Sequence, residues 1–169
     1  GCDFYTVSGQ KWLLGPDATG GLFVHPRQRD RLNLVMPSYF GRTDHDELGV
    51  PEGAPGSTRF DSGAISVPAL AALAESLRFQ ASLGTQRFEW ARTQTAYCHD
   101  LLATRAEVIS EPGQSTLISF RMADPAAEVV ERLADANVFV REIPELDWVR
   151  ASVGFWTANE ELERLLDCL

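Results

Sequence analysis

Positions 8–11 carry the sequence Ser-Gly-Gln-Lys, which places a hydroxyl, an amide and a primary amine within one short segment. The amine of Lys11, held beside Trp12 and Leu13, can attack an aldehyde and form a Schiff base. The hydroxyl of Ser8 and the amide of Gln10 can donate hydrogen bonds to a phosphate group. Lys11 is the only lysine among 15 basic residues, so chemistry that needs a side-chain amine has a single candidate. Taken alone, a lysine in such a loop is more often a solvated surface residue than a functional one.

The composition is that of a folded domain without a membrane span. The chain has 169 residues, of which 44% are hydrophobic and 23% charged, which excludes disordered and collagen-like classes. Its longest apolar run, Val67–Ala74, contains a proline and is far shorter than the roughly 18 residues that a membrane helix requires. The net charge of −9 disfavours nucleic acid and anionic membrane surfaces as partners.

Cysteine and histidine usage predicts neither a disulfide framework nor a metal site. Cys2, Cys98 and Cys168 are odd in number and show no Cys-x-x-Cys spacing, and nothing at the N-terminus resembles a signal peptide. The three histidines match no metal-ligand spacing. We therefore expect a protein of the reducing cytoplasm.

Lys11 follows a predicted strand at the start of the chain. Asp3–Ser8 is rich in aromatic and β-branched residues, and Leu22–Val24 is a second apolar run, so we predict strand, glycine-bounded loop, strand, with Lys11 at the bend. No helical or strand period persists over Pro26–Thr58, where Gly and Pro recur, for example at Pro37. This pattern predicts a long loop, and loops of this length are often functional or mobile.

The remaining residues predict a small sheet with helices packed on one face. The predicted elements are a helix capped by Ser66 and ended by Gly84, a helix over about 86–105, strands over 108–109 and 116–120, a helix with Asp124 as N-cap, strands over 138–143 and 148–153, and a last helix with a capping box over Thr157–Glu160. We place a boundary in the long loop. Residues 1–58 are then the end of a larger sheet domain, and residues 59–169 form a small α+β domain.

The sequence DFYTVSGQKWLLGP at 3–16, followed by TGGLFV at 19–24, resembles the cofactor-lysine segment of the class V aminotransferase family. That family includes cysteine desulfurases, isopenicillin N epimerase-like proteins and alanine-glyoxylate aminotransferases. The resemblance implies the α/β, aspartate-aminotransferase-like fold (fold type I) and pyridoxal 5'-phosphate as cofactor. It also implies that Lys11 forms the Schiff base with the cofactor and later moves the proton at the substrate α-carbon. Ser8 and Gln10 would bind the cofactor phosphate.

A second match implies a dimer. The segment Arg59–Ala64 is similar to the family's Arg-Phe-x-x-Gly-Thr motif, which reaches across the interface of a homodimer to the neighbouring subunit's phosphate. Gly63 and Ala64 would make that contact. Ala64 replaces the threonine hydroxyl, so only the backbone contact carries over, unless Ser66 substitutes. The alternative is a helix-capping loop whose glycine serves only the turn.

Arg150 lies in a segment similar to the family's Arg-x-Ser strand, whose arginine clamps the substrate α-carboxylate. A guanidinium suits that role because it offers two parallel donors and stays charged. The alternative is an ordinary solvent-facing strand arginine. In desulfurases of the family the loop before this strand carries a reactive cysteine, but Arg141–Asp147 has none. The resemblance therefore disfavours desulfurase chemistry.

Family members run to about twice this length, and the resemblance covers only the second half of the family pattern. We expect the C-terminal part of a pyridoxal-phosphate enzyme that acts on the α-carbon of an amino acid, a small-molecule substrate, by transamination, epimerisation or β-elimination. An N-terminal half of the same enzyme would complete the pocket. The alternative is a catalytically inert fragment or an interaction-only α+β domain.

Overall fold

The computed structural model describes residues 1–33, 36, 38–45, 48–49 and 51–169. The chain divides into two compact units, residues 1–82 and residues 83–169. Within the predicted long loop, residues 34, 35, 37, 46, 47 and 50 lie outside the described residues, Pro37 among them. The domain boundary placed after residue 58 from the sequence stays a prediction.

The first unit begins with a hairpin that carries Lys11 between its strands. Strands β1 (Phe4–Ser8) and β2 (Gly20–Val24) pair antiparallel, with Phe4 opposite Val24 and Ser8 opposite Gly20. The predicted order of strand, loop and strand is thus confirmed. The hairpin fixes where the chain turns, because Ser8 and Gly20 form its last pair.

Short elements follow in the segment that we predicted to be loop. They are helix α1 (Pro26–Arg29) and the antiparallel strands β3 (Arg42–His45) and β4 (Pro51–Gly53). The prediction of an unstructured loop over Pro26–Thr58 was therefore wrong for these residues. Elements of three or four residues are too short to show a helical or strand period.

Helix α2 (Val67–Ser82) completes the first unit. The predicted cap is confirmed, because the Ser66 hydroxyl accepts from the Ala69 N–H at 3.4 Å. Leu73 and Gln80 are the buried residues of this helix. They lie seven residues apart, about two helical turns, and so on the same face.

The second unit is a four-stranded antiparallel sheet with three helices. Its elements are α3 (Gln86–Leu102), β5 (Glu107–Val108), β6 (Leu117–Arg121), α4 (Ala126–Asp135), β7 (Arg141–Ile143), β8 (Trp148–Ser152) and α5 (Asn159–Asp167). The strand order is β5-β6-β8-β7. The predicted helix and strand order is confirmed, but the strand expected over 138–143 is shorter, since its pairing with β8 begins only at Arg141.

One face of this sheet carries the core of the unit. Ile118 and Phe120 on β6, and Val149 and Ala151 on β8, are buried against the helices. The rest of the core comes mainly from the helices and includes Cys98, Leu102, Ala126, Val129, Leu133, Val153, Leu162 and Leu165. Because side chains alternate along a strand, the residues between these buried positions lie on the opposite face.

Two helix caps differ from those predicted. Asp124 pairs with Arg132 at 3.1 Å, and Asp147 instead accepts from the Ala126 N–H at 2.8 Å, at the start of α4. At α5 the carboxylate that accepts a backbone N–H, from Ala158 at 2.8 Å, belongs to Glu161 and not to Glu160. The first correction depends on a contact between residues 21 positions apart, which a local pattern does not determine. The second is a shift of the cap by one residue.

Candidate active site

Backbone hydrogen bonds close the turn that carries Lys11. The Gly9 N–H donates to the Thr19 carbonyl at 2.8 Å, and the Gly15 N–H donates to the Gly9 carbonyl at 2.8 Å. Within the turn, the Leu14 N–H donates to the Lys11 carbonyl at 2.9 Å. Gly9 therefore makes two backbone hydrogen bonds that close the turn, one to Thr19 and one to Gly15.

Gly9 is buried at the centre of this arrangement. A Cβ built on Gly9 would lie 2.9 Å from the backbone carbonyl carbon of Thr19 and closer still to the threonine hydroxyl. Gly20, across the hairpin, would place a Cβ 2.5 Å from the Val7 carbonyl oxygen. Side chains at these two positions would push the strands apart, because packed backbone cannot yield by that amount.

Helix α2 holds the far side of the turn. The Gln80 side-chain amide donates to the Trp12 carbonyl at 2.9 Å, and the Ser76 hydroxyl donates to the Leu14 carbonyl at 2.7 Å. Leu73 packs against Gly15, where a Cβ would approach its Cδ1 to 2.7 Å. Leu73, Ser76 and Gln80 were not predicted from the sequence as part of the site. The available signal was the position of Gln80 seven residues after Leu73, on the same face of the helix.

The functional groups of the turn itself face outward. Ser8, Gln10 and Lys11 are exposed, and among the described residues their side chains have no hydrogen-bond or ion-pair partner. A hydroxyl, an amide and an amine are thus free on one short turn. This donor set fits a phosphorylated aldehyde, since the hydroxyl and amide suit the phosphate and the amine suits the carbonyl carbon.

The segment before α2 also lies in the first unit. Gly63 and Ala64 are exposed, and the Ala64 N–H donates to the Ser62 hydroxyl at 3.4 Å, near the limit for a hydrogen bond. The Ser62 hydroxyl donates in turn to the Ala64 carbonyl at 3.2 Å. The Ser66 hydroxyl, considered above as a substitute for the missing threonine, accepts from the Ala69 N–H at the start of α2, also at 3.4 Å.

Arg150 lies in the second unit, near the middle of β8. It stands between two buried neighbours of the strand, Val149 and Ala151, and so projects from the sheet face opposite to the helices. Its Nε is buried and has no hydrogen-bond partner among the described residues. A buried donor without a partner calls for an acceptor that is not part of this chain segment.

The thiol of Cys98 is held in an unreactive, protonated form. Cys98 is buried in the core of the second unit, and burial raises the pKa of its thiol to about 11. A protonated thiol is a poor nucleophile. Among the described residues, no three His, Cys, Asp or Glu side chains cluster as metal ligands, and no helix is long and apolar enough to cross a membrane.

A family model for class-V aminotransferases matches residues 1–165. The chain belongs to this family. The resemblance seen in the lysine segment is thereby confirmed, and so is the cofactor class, because class-V aminotransferases use pyridoxal phosphate.

Curated relatives of this class-V chain carry out more than one chemistry. It is 30% identical to isopenicillin N epimerase of Streptomyces clavuligerus over 187 residues, which cover 99% of this chain and 46% of the relative. It is 26% identical to a probable cysteine desulfurase of Xylella fastidiosa (strain Temecula1 / ATCC 700964), covering 100% of this chain and 44% of the relative. The chain thus spans less than half the length of these relatives.

Solved structures confirm the fold. The cystine C-S lyase C-DES, in complex with its product cysteine persulfide, superposes with a TM-score of 0.88 at 25% identity over 98% of this chain and 45% of that chain. The cysteine desulfurase of Thermococcus onnurineus NA1 gives 0.88 at 20% identity, again over 98% of this chain and 46% of that one. The class-V chain therefore has the α/β fold of the type I pyridoxal-phosphate enzymes, as predicted.

Proposed function

We propose that this chain is the C-terminal portion of a pyridoxal-phosphate enzyme that acts on the α-carbon of an amino acid through a Schiff base with Lys11. The observation that carries the proposal is the lysine turn. It presents the chain's only lysine beside a hydroxyl and an amide that have no partner among the described residues, on a hairpin closed at Gly9. Membership of the class-V family supports the cofactor.

Each group of the turn has a proposed role. Ser8 and Gln10 donate hydrogen bonds to the cofactor phosphate. When bound, pyridoxal phosphate withdraws electrons from the substrate α-carbon and so acidifies its proton. The Nζ of Lys11 accepts and returns that proton, which suits a primary amine on a short and well-fixed turn.

Arg150 is proposed to hold the substrate α-carboxylate. A guanidinium donates two parallel hydrogen bonds to a carboxylate, and the buried Nε of Arg150 has no acceptor within the described part of the chain. An ordinary solvent-facing arginine keeps its Nε in water and has no such unsatisfied donor. We therefore prefer the clamp to the structural alternative.

Gly63 and Ala64 are proposed to contact the cofactor phosphate of a neighbouring subunit in a homodimer. Both residues are exposed, and the Ala64 N–H is only weakly engaged by Ser62. A backbone N–H is a suitable donor to a phosphate oxygen. In the proposed dimer the contact therefore needs no hydroxyl at position 64.

Transamination, epimerisation and β-elimination all begin with chemistry at the α-carbon, and the relatives include an epimerase and probable desulfurases. We propose one of these three reactions, on an amino acid in the cytoplasm. Desulfurase chemistry is disfavoured, because Arg141–Asp147 has no cysteine and Cys98 is buried. An N-terminal half of the same enzyme is proposed to complete the pocket.

The test is reduction of the cofactor-loaded intact enzyme with borohydride, followed by peptide mapping. We expect a stable pyridoxyl adduct on Lys11, and we expect Lys11→Ala to remove it while the protein stays folded. An adduct on a different peptide, or none, would overturn the proposal. The absence of any adduct in a folded, cofactor-treated protein is also what the inert-fragment alternative predicts.

A further inference from the structure

Three arginines lie on the face of the four-stranded sheet that is opposite to its helices. Arg121 and Arg150 occupy the strand positions that alternate with buried residues on β6 and β8. Arg141 of β7 is the direct cross-strand partner of Arg150. Opposed residues of an antiparallel pair project from the same face, so Arg141 shares this face with the other two.

One of the three arginines has its own carboxylate. Arg121 donates from Nε at 3.0 Å and from Nη2 at 2.5 Å to Glu107, its cross-strand partner on β5. Arg141 and Arg150 have no acidic partner among the described residues. Glu142, which follows Arg141 in the sequence, is the cross-strand partner of the buried Val149 and so lies on the helix side of the sheet.

The row across the sheet is therefore made of donors. It consists of Ser119 on β6, Arg150 on β8 and Arg141 on β7, in register. Two like charges directly opposite each other destabilise a sheet, and the buried Nε of Arg150 adds an unsatisfied donor. An anion bound over the row would remove both costs.

A single carboxylate occupies one guanidinium fork. If Arg150 holds the α-carboxylate of the substrate, Arg141 on the next strand, about 5 Å away, remains available for a second anion. We propose that Arg141 selects amino acids whose side chain ends in a carboxylate or a similar oxyanion. This inference rests on the proposed function, because it takes Arg150 as the α-carboxylate clamp.

The test compares acidic amino acids with their amides in the cofactor-loaded intact enzyme. Binding is read from the visible absorbance of the cofactor during titration with L-aspartate, L-glutamate and L-2-aminoadipate, each against its uncharged amide. We expect Arg141→Gln to weaken the best acidic ligand by about 10- to 100-fold and to leave its amide unchanged. Arg141→Lys should lie between, since it keeps the charge and loses the fork.

Arg121→Gln is the matched control, because Arg121 lies on the same face and already has its own carboxylate. Arg121→Gln should change the affinity neither for the acidic amino acid nor for its amide. Equal effects of Arg141→Gln on the acid and its amide, or no effect on either, would overturn the inference.

A second measurement separates this inference from the proposed function. In the Lys11→Ala protein, calorimetry compares glutarate with butyrate, which need no Schiff base. We expect glutarate to bind at least about 10-fold more tightly and to lose this advantage in Arg141→Gln. If glutarate binds no more tightly than butyrate, the proposed role of Arg141 is overturned. If glutarate binds more tightly than butyrate in the Lys11→Ala protein, but borohydride leaves no adduct on Lys11 of the unmutated enzyme, the role of Arg141 stands and only the lysine chemistry is overturned.

Discussion

Lys11 lies on a turn held by backbone hydrogen bonds and one helix, whereas Arg150 lies on a strand backed by a packed core. In the described part of the first unit, Ala54 and Leu73 are the only buried hydrophobic side chains, and Phe4 and Tyr5 of the hairpin are 47% and 62% exposed. In the second unit many core side chains are almost inaccessible to solvent. The position of Lys11 therefore depends on a few specific contacts, whereas the strand of Arg150 is held by a packed core.

The largest loss of stability is expected at Gly9, whose backbone lies against the backbone of Thr19. Gly9→Ala places a methyl group against Thr19 and should destabilise the hairpin by about 3 kcal/mol, since overpacking forces the strands apart. Cofactor loading at Lys11 should be lost. Gly21→Ala is the matched control, because its Cβ would lie 3.4 Å from Val7 Cγ1. Thermal unfolding measures the stability of the two variants, and cofactor absorbance measures their loading. Equal stability and equal loading of Gly9→Ala and Gly21→Ala would show that the turn does not depend on the close contact at Gly9.

Arg150→Ala should weaken amino-acid binding by about 10- to 100-fold while cofactor loading hardly changes. Arg150→Lys should rescue little, because an ammonium keeps the charge but not the fork. Titration of the loaded intact enzyme gives both quantities. If the alanine variant lost cofactor or unfolded while the remaining folded protein still bound amino acid normally, Arg150 would be a structural residue.

Gln80→Leu tests the support of the lysine turn by α2. It removes the hydrogen bond to the Trp12 carbonyl and keeps the buried volume similar, at a cost of about 1–2 kcal/mol. Schiff-base formation at Lys11, followed by absorbance after cofactor addition, should slow. Ser82→Ala is the control, because that hydroxyl donates only to Phe79 of its own helix. Unchanged kinetics in Gln80→Leu would show that the turn holds its shape without α2.

A smaller effect is expected at the start of α4 in the second unit. Asp147→Ala should destabilise this unit by about 1 kcal/mol, because the Ala126 N–H loses its acceptor. Asp124→Ala should cost less, since its partner is an exposed arginine. Denaturant unfolding of the two variants decides between them, and the reverse order would restore the cap predicted from sequence.

The smallest effect is expected at Cys98. Because burial raises the pKa of this thiol to about 11, its thiolate fraction near pH 8 is on the order of one in a thousand, and it grows only as the pH approaches that pKa. A thiol reagent at pH 8 should modify the exposed Cys2 and spare Cys98 until the protein unfolds. A persulfide formed at Cys98 from L-cysteine would contradict both the burial argument and the prediction against desulfurase activity.

Local patterns predicted much of the second unit because its helices and strands bury one regular face. Ile118 and Phe120 on β6, and Leu162 and Leu165 on α5, repeat with the strand and helix periods that sequence analysis detects. The site at Ser8, Gln10 and Lys11 was predicted from residue types within four consecutive positions, and it stays a prediction. The sequence at 8–11 predicted the turn, but it did not predict the hydrogen bonds from α2 that hold the turn in place.

The missed features depend on residues far apart in sequence. Gln80 reaches the Trp12 carbonyl across 68 positions, and Asp147 caps a helix that begins 21 residues earlier. Nothing in a local window specifies either contact. The pairing of Arg141 with Arg150 likewise depends on the sheet register, which the two strand patterns alone do not determine.

Strand β7 has a consequence for aggregation. It is a three-residue strand at one end of the sheet, it begins with Arg141, and Pro144 follows it directly. The free N–H and C=O groups of such an edge can recruit a strand from another molecule, and short length, charge and proline each oppose that recruitment. The opposite edge, β5, has only two residues. Concentrated protein should therefore resist edge-to-edge polymerisation through this sheet, and the arginine on β7 contributes to that resistance whether or not a ligand is bound.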